Sequence, residues 1–169
     1  FVAAMQQKCK LLLIDKLTTP MFKKADWIFN TNVYEVNLRQ YTAEGTINAF
    51  AKELPRLKDM GVDTLWFMPI TPIAVKNRKG SMGSQYACSN YTSVGAEYGT
   101  MDDFKNLVSL AHEMGFKVIL DWVANHTGWD HEWTISHPAY YSKKEDGTFK
   151  PPVENWEDVI HLNFANNDL

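Results

Sequence analysis

Asp121, Asn125, His126, Asp130 and His131 crowd into one short stretch, FKVILDWVANHTGWDH, together with Trp122 and Trp129. Carboxylate, amide and imidazole groups at this density can grip a polar ligand, hold a metal ion or move protons, and the indoles add flat apolar faces. A well-satisfied polar corner of a fold would use the same residue types. The zinc-hydrolase reading of His126, Asp130 and His131 is weak, because a glycine-containing loop separates the two histidines and they do not share one helix face. Calcium through the Asn125 amide suits the chemistry better, although one amide is far short of the six to eight oxygens that ion takes.

The elements that would position these residues follow from pattern. The first half of the stretch, FKVIL, is an apolar run rich in β-branched residues after a glycine, which predicts a buried strand. Upstream, residues 32–38 alternate, with Val33, Glu35 and Asn37 on one face and Tyr34, Val36 and Leu38 on the other, which predicts another strand. Residues 64–68, TLWFM, form a third apolar run closed by Pro69. Between them, Ile47, Phe50, Ala51, Leu54, Leu57 and Met60 keep helical spacing after Thr46, and Pro55 must kink that helix or begin a second segment. A further helix is predicted over residues 101–114, capped by Thr100 with Asp103 three residues on and stopped by Gly115.

Both helices pass to the next strand through a tight Met-Gly turn, Met60-Gly61 and Met114-Gly115, so a strand, loop, helix, turn unit repeats. That is the pattern of parallel βα units. The long connections leave the carboxyl ends of the strands, at residues 71–99 and after Asn125, and loops of that length in a compact domain are usually functional. They carry Tyr86, Tyr91 and Tyr98, then Trp129, Trp133, Tyr140, Tyr141 and Trp156. Such rings either stack on the CH face of a sugar or pin the loops to the body, and some must form the small core of the last segment. The first 31 residues show weak periodicity and read as a leader or linker.

Composition narrows the partners. The chain is 45% apolar and 22% charged with a formal net charge of −3 and no basic stripe, so nucleic acid is not expected as a partner. No apolar run approaches the length of a membrane span. Two cysteines, Cys9 and Cys88, fit neither a disulfide framework nor a metal-ligand spacing. No glycine-rich phosphate loop follows the first strand, which disfavours an independent doubly wound domain.

On these motifs the chain resembles the α-amylase family of glycoside hydrolases. DWVANH at residues 121–126 matches the family's D-x-x-x-N-H element, and VYEVNLRQYTAEGT, LKDMGVDTLWFMPI and QYACSNY followed by EYGT fall in the family's order. The resemblance implies an α/β fold, a (β/α)8 TIM barrel, of which residues 32–126 supply the first three βα units, and residues 127–169 the start or whole of a loop-rich subdomain inserted after the third strand. It implies action on α-glucans or oligosaccharides by a retaining mechanism, ending in hydrolysis or in transfer to an acceptor sugar.

The family's roles carry over position by position. Tyr86 resembles the aromatic residue that stacks on the sugar just before the cleaved bond, and His126 the residue that hydrogen-bonds that sugar. Asp121 resembles a carboxylate supporting the site, and Asn125 the calcium ligand of those members that bind calcium. Gln85 and Asn90 depart from the family's usual Gly and Asp.

Retaining chemistry needs two carboxyl groups about 5 Å apart. In the family these, with the third essential acid, follow strands four, five and seven, so the catalytic trio is expected beyond Leu169 and none of it in this chain. The rival expectation is a non-catalytic carbohydrate-binding or partner protein on the same scaffold. An open three-stranded parallel sheet predicts, besides, a chain that folds poorly or associates.

Overall fold

A computed structural model describes residues 24–169. Of the unit that ends at Thr31, residues 24–31 are described and hold a 3-10 turn over Asp26–Phe29 with Trp27, Ile28 and Phe29 exposed. The rest of the expected leader, and Cys9, lie outside the described residues.

In the second unit, residues 32–169, the three expected strands form one parallel sheet. Strands β1 (Val33–Val36), β2 (Thr64–Phe67) and β3 (Lys117–Leu120) lie in that order, with Val36, Phe67 and Leu120 in one row and Glu35, Trp66 and Ile119 in the next. The first strand is shorter than its alternating pattern. After Asn37 the chain turns into a brief helix, α1 (Leu38–Tyr41), which buries Leu38.

The expected helix over residues 46–60 is two helices. Thr46 caps α2 (Ile47–Ala51), its side chain accepting from the Ala49 N–H, and α3 (Leu54–Asp59) starts afresh with Pro55 in its first turn. Proline there gives up an N–H that had no intrahelical partner anyway, so a new start is less costly than a kink. The longer helix α4 (Met101–Glu113) carries the expected capping box between Thr100 and Asp103. Gly61 and Gly115, which end α3 and α4, have φ of 84° and 83°, a conformation that the handover to the next strand requires and side chains disfavour.

One sheet face buries Val36, Leu65 and Phe67 against Phe50, Leu54, Leu57 and Leu107 of the helices. Edge-to-face rings run through this core, with Tyr41, Phe50, Phe67 and Phe104 at centroid spacings of 4.8, 5.2 and 6.2 Å. The opposite face carries Val33, Trp66 and Ile119 exposed, at 52, 36 and 36%. Apolar residues open on that face, and strand edges at β1 and β3, are the features that predict association.

After β3 the chain makes an excursion that returns to its own start. Strand β4 (His126–Gly128) pairs antiparallel with β5 (Val159–His161), Thr127 opposite Ile160. Between them lies a short helix, α5 (Trp133–Ser136). A small core of Tyr141, Ile160 and Leu162, with Trp129, Trp133, Tyr140 and Phe149 against it, holds the excursion together. Of the five aromatics expected after Asn125, Trp129, Trp133, Tyr140 and Tyr141 are used there, and Trp156 is left out at 46% exposure.

Candidate functional site

The parallel sheet brings the carboxyl ends of three strands to one edge, and the backbone ladder continues just beyond them. The Met68 N–H donates to the Val36 carbonyl at 3.0 Å and the Asp121 N–H to the Phe67 carbonyl at 2.8 Å. Asp121 is therefore fixed by the sheet rather than by its loop. The connection over residues 71–99 folds back across this edge. Arg39 anchors it, donating to the Gly83 carbonyl at 3.0 Å and pairing with Glu97 at 3.1 Å. Gln85 donates to Asn37 Oδ1 and to the Tyr98 hydroxyl, each at 3.3 Å.

These anchors bring Tyr86 to Asp121. The tyrosine hydroxyl donates to Asp121 Oδ2 at 2.9 Å. Partial burial, and then the hydrogen bond and negative charge of Asp121, raise the phenol above its ordinary pKa, so it stays a protonated donor at neutral pH. The ring borders two cavities. One, of about 260 Å³, is lined mainly by apolar groups, with Ile70, Tyr91, Trp122 and Val123 around Asp121. The other, of about 400 Å³, is bounded by Asn125, His126, Trp156 and Asp158.

His126 is 4% exposed, with Asn125 Nδ2 3.1 Å from its Nδ1 and the Trp156 ring edge-to-face at 5.7 Å. Burial lowers its pKa, opposed by the charge of Asp158 and by a hydrogen bond to the Tyr86 carbonyl, with His161 adding to the lowering. At neutral pH it is an uncharged imidazole. Tyr86, His126 and Asp121 are thus gathered around one edge. Tyr91 and Tyr98 take the pinning role instead. The Tyr91 hydroxyl donates to the His126 carbonyl at 2.9 Å, and Tyr98 is buried in the main core.

The remaining polar residues of the DWVANHTGWDH stretch turn to structure. Asp130 Oδ2 accepts from the backbone N–H groups of Val75 and Lys76, at 2.8 and 3.2 Å, clamping the two long loops together. His131 is buried between Tyr91 and Trp133, and its Nδ1 accepts from the Trp133 N–H. Among the described residues no three His, Cys, Asp or Glu side chains converge to hold a metal, so His126, Asp130 and His131 do not form the zinc set weighed above. Asn125, the residue expected for calcium, is exposed, with its amide nitrogen 3.1 Å from His126 Nδ1. Cys88 is a buried free thiol, its pKa raised by burial.

Burial of His126 and His131 is expected to make the chain acid-sensitive. Burial lowers both below the ordinary value of 6.5, for His131 against the charges of Glu132 and Asp130. The unfolded chain then binds the two protons more tightly than the folded one. Their contribution to stability is intact above 6.5 and is lost as pH falls through 6.5 toward the depressed folded values. The thermal midpoint is expected to be lower at about pH 5 than at about pH 7, and His131→Gln to flatten part of that slope. Equal midpoints at the two pH values would contradict this burial.

Gln85, Arg39, Trp156 and Asp158 were not singled out as site residues by their sequence context. Arg39 and Gln85 act over separations of 44 and 48 residues, for which local pattern holds no signal. Trp156 stood out only as one of many aromatics.

Comparison with known proteins gives this arrangement relatives. The family model for the alpha amylase catalytic domain matches residues 20–160. The alpha-1,4-glucan:maltose-1-phosphate maltosyltransferase of Rhodospirillum rubrum is 36% identical over 152 residues, 78% of this chain and 22% of the relative. Among solved structures, an alpha-amylase from Lactobacillus plantarum superposes with a TM-score of 0.81 at 41% identity, covering 82% of this chain and 33% of that one. A maltogenic alpha-amylase from Thermotoga neapolitana gives 0.78 at 35% identity with the same coverage. The chain spans about a fifth of the length of the first of these relatives and a third of the two amylases.

Proposed function

The chain belongs to the alpha-amylase family, and from that membership we propose that it forms one wall of an active site that binds α-glucans and acts on them by a retaining mechanism. The observation that carries this reading is the Tyr86 ring, held at the carboxyl edge of the sheet by a 2.9 Å hydrogen bond to Asp121, with His126 lining the cavity beside it. A pyranose presents an apolar CH face ringed by hydroxyls, and a fixed aromatic face next to an amide, an imidazole and a carboxylate is complementary to it.

In this proposal Tyr86 binds by stacking and Asp121 holds it in place. His126, neutral at working pH, lines the sugar's edge without introducing a charge. Asp121 is assigned no catalytic part. A nucleophile and an acid about 5 Å apart are the further requirement of retaining chemistry, and they are proposed to come from elements other than the three strands described. Those strands are then the first part of a closed barrel, and residues 127–169 the start or whole of its inserted subdomain. No step of the proposal runs through calcium.

Hydrolysis and glycosyl transfer share the covalent glycosyl-enzyme intermediate and differ in whether water or a sugar hydroxyl releases it. The relatives include both alpha-amylases and maltosyltransferases, so the proposal is made for the shared half-reaction. The wall is tested by titrating the chain with maltotriose and following ligand signals by NMR. Tyr86→Ala is expected to weaken binding about tenfold, while Tyr86→Phe, which keeps the ring and loses the bond to Asp121, sits in between. Unchanged affinity in Tyr86→Ala would remove the stacking role.

A further inference from the structure

We propose that Trp122, Tyr91, Trp133 and Tyr140 form a one-electron relay that carries an oxidising equivalent away from the cavity beside Asp121 and leaves it as a radical on Tyr140. The rings meet in series. Trp122 lies 6.3 Å from Tyr91 between centroids, Tyr91 lies 5.6 Å from Trp133, and Trp133 lies 5.6 Å from Tyr140. An exposed residue, His137, stacks on the last ring at 4.7 Å. All these spacings are those of interacting aromatic pairs, so an electron crosses one ring contact at a time and no saturated stretch of chain.

The two ends differ, and the difference gives the relay its direction. Trp122 is 70% exposed and borders the cavity of about 260 Å³ with Tyr86 and Asp121, so a diffusing oxidant reaches its indole first. An indole is oxidised to a radical cation, whereas a phenol that sheds its proton on oxidation becomes a neutral radical, which is the deeper trap. Tyr91 cannot be that trap. Its hydroxyl donates to the His126 carbonyl at 2.9 Å, a weak base, and burial pushes its pKa up. Tyr140 is partly exposed, so its phenolic proton can pass to water.

His131 fills the middle of the series. It is 1% exposed, with its ring 5.2 Å from Tyr91 and 4.7 Å from Trp133, and burial lowers its pKa. A neutral imidazole there adds no positive charge to oppose a passing radical cation.

Each step is a single-electron transfer. A one-electron oxidant, such as a photogenerated ruthenium(III) bipyridyl complex, takes an electron from Trp122 and becomes ruthenium(II). Trp133 refills Trp122 across Tyr91. Tyr140 then refills Trp133, releases its phenolic proton to water and remains as the neutral radical. A reductant of the ascorbate class returns an electron and a proton and restores the phenol.

The test generates the oxidant beside Trp122. The ruthenium complex is attached to the whole 169-residue chain at Ala124→Cys, in a Cys9→Ser background with Cys88 left buried, and is oxidised by light and persulfate. The labelled chain is expected to give a tyrosyl radical signal by electron paramagnetic resonance, and Tyr140→Phe to abolish it. Trp133→Phe should abolish it as well, and in both variants the oxidation products at Trp122, read by peptide mass spectrometry, should rise severalfold. Circular dichroism melts report folding, and Tyr140→Phe, which removes one hydroxyl, carries the Trp122 readout if Trp133→Phe does not fold. A tyrosyl signal that survives in a folded Trp133→Phe chain would mean that Tyr140 is oxidised directly and would overturn the relay. Unchanged damage at Trp122 in Tyr140→Phe would overturn it too.

Discussion

Gly128→Ala is expected to lower the unfolding free energy by about 3 kcal/mol, the upper end of what overpacking a close contact costs. A Cβ at that position would lie 2.1 Å from Ala74 Cβ, 3.1 Å from the Ala87 carbonyl and 3.3 Å from the Cys88 carbonyl. None of these is the far end of a flexible side chain, so relief requires the backbone of one loop to move. Gly128 is demanded by space, not by conformation, for its φ is not among the positive ones.

The crowding has a purpose in the fold. The Gly128 N–H donates to the Cys88 carbonyl at 2.7 Å, which ties the connection after β2 to the strand that opens the excursion after β3. Ala74 and Ala87 pack there with Val159 of β5. The second variant that isolates the cause is Gly128→Ala combined with Ala74→Gly. Removing the methyl at 2.1 Å should recover part of the loss, and the carbonyl contacts should keep the rest. Urea midpoints of the unsubstituted chain and the two variants measure it. A single substitution costing under about 0.5 kcal/mol would mean the two loops are not held this closely.

The same junction shows what could and could not be read from the sequence. The parallel sheet was legible because its signals are local. Thr100 with Asp103, the apolar spacing of α4 and the Met-Gly turns each act within a few residues, and the strands they punctuate are one alternating segment and two short apolar runs. The division between α2 and α3 was left open by Pro55, whose chemistry permits either a kink or a new first turn. The pairing of β4 with β5 was not legible. Its strands are three residues each and Gly128 opposes Val159 across 31 positions, so neither length nor alternation marks them. The candidate site divides in the same way. Tyr86, Asp121 and His126 stood out by type and motif. Trp156 and Asp158 join them only through the β4–β5 pairing. Asp130 and His131 lay in the same polar cluster, yet they clamp loops and fill a core, because a turn at the start of an excursion has backbone donors to satisfy.

Phe67→Ala is expected to be the most costly single substitution in the sheet, lowering the unfolding free energy by about 3–5 kcal/mol. Phe67 is fully buried in the central strand, between the rings of Phe50 at 5.2 Å and Phe104 at 6.2 Å. Its neighbours in the row, Val36 and Leu120, are held in register by backbone hydrogen bonds and cannot slide in to fill the void. Truncation therefore loses both the transfer energy of the ring and the contacts of the cavity left behind. Phe67→Leu should cost roughly half as much, since it keeps part of the volume.

The effect should reach the site. The Phe67 carbonyl accepts the Asp121 N–H at 2.8 Å, and Asp121 holds the Tyr86 hydroxyl at 2.9 Å, so two consecutive hydrogen bonds tie the Tyr86 ring to the central strand. Chemical denaturation gives the stability term and maltotriose titration at low temperature, where the variants remain folded, gives the binding term. If Phe67→Ala loses stability as expected but binds maltotriose as the parent does, Tyr86 is placed by the Arg39 and Gln85 anchors of its own loop. If both fall together, the sheet itself places the Tyr86 ring.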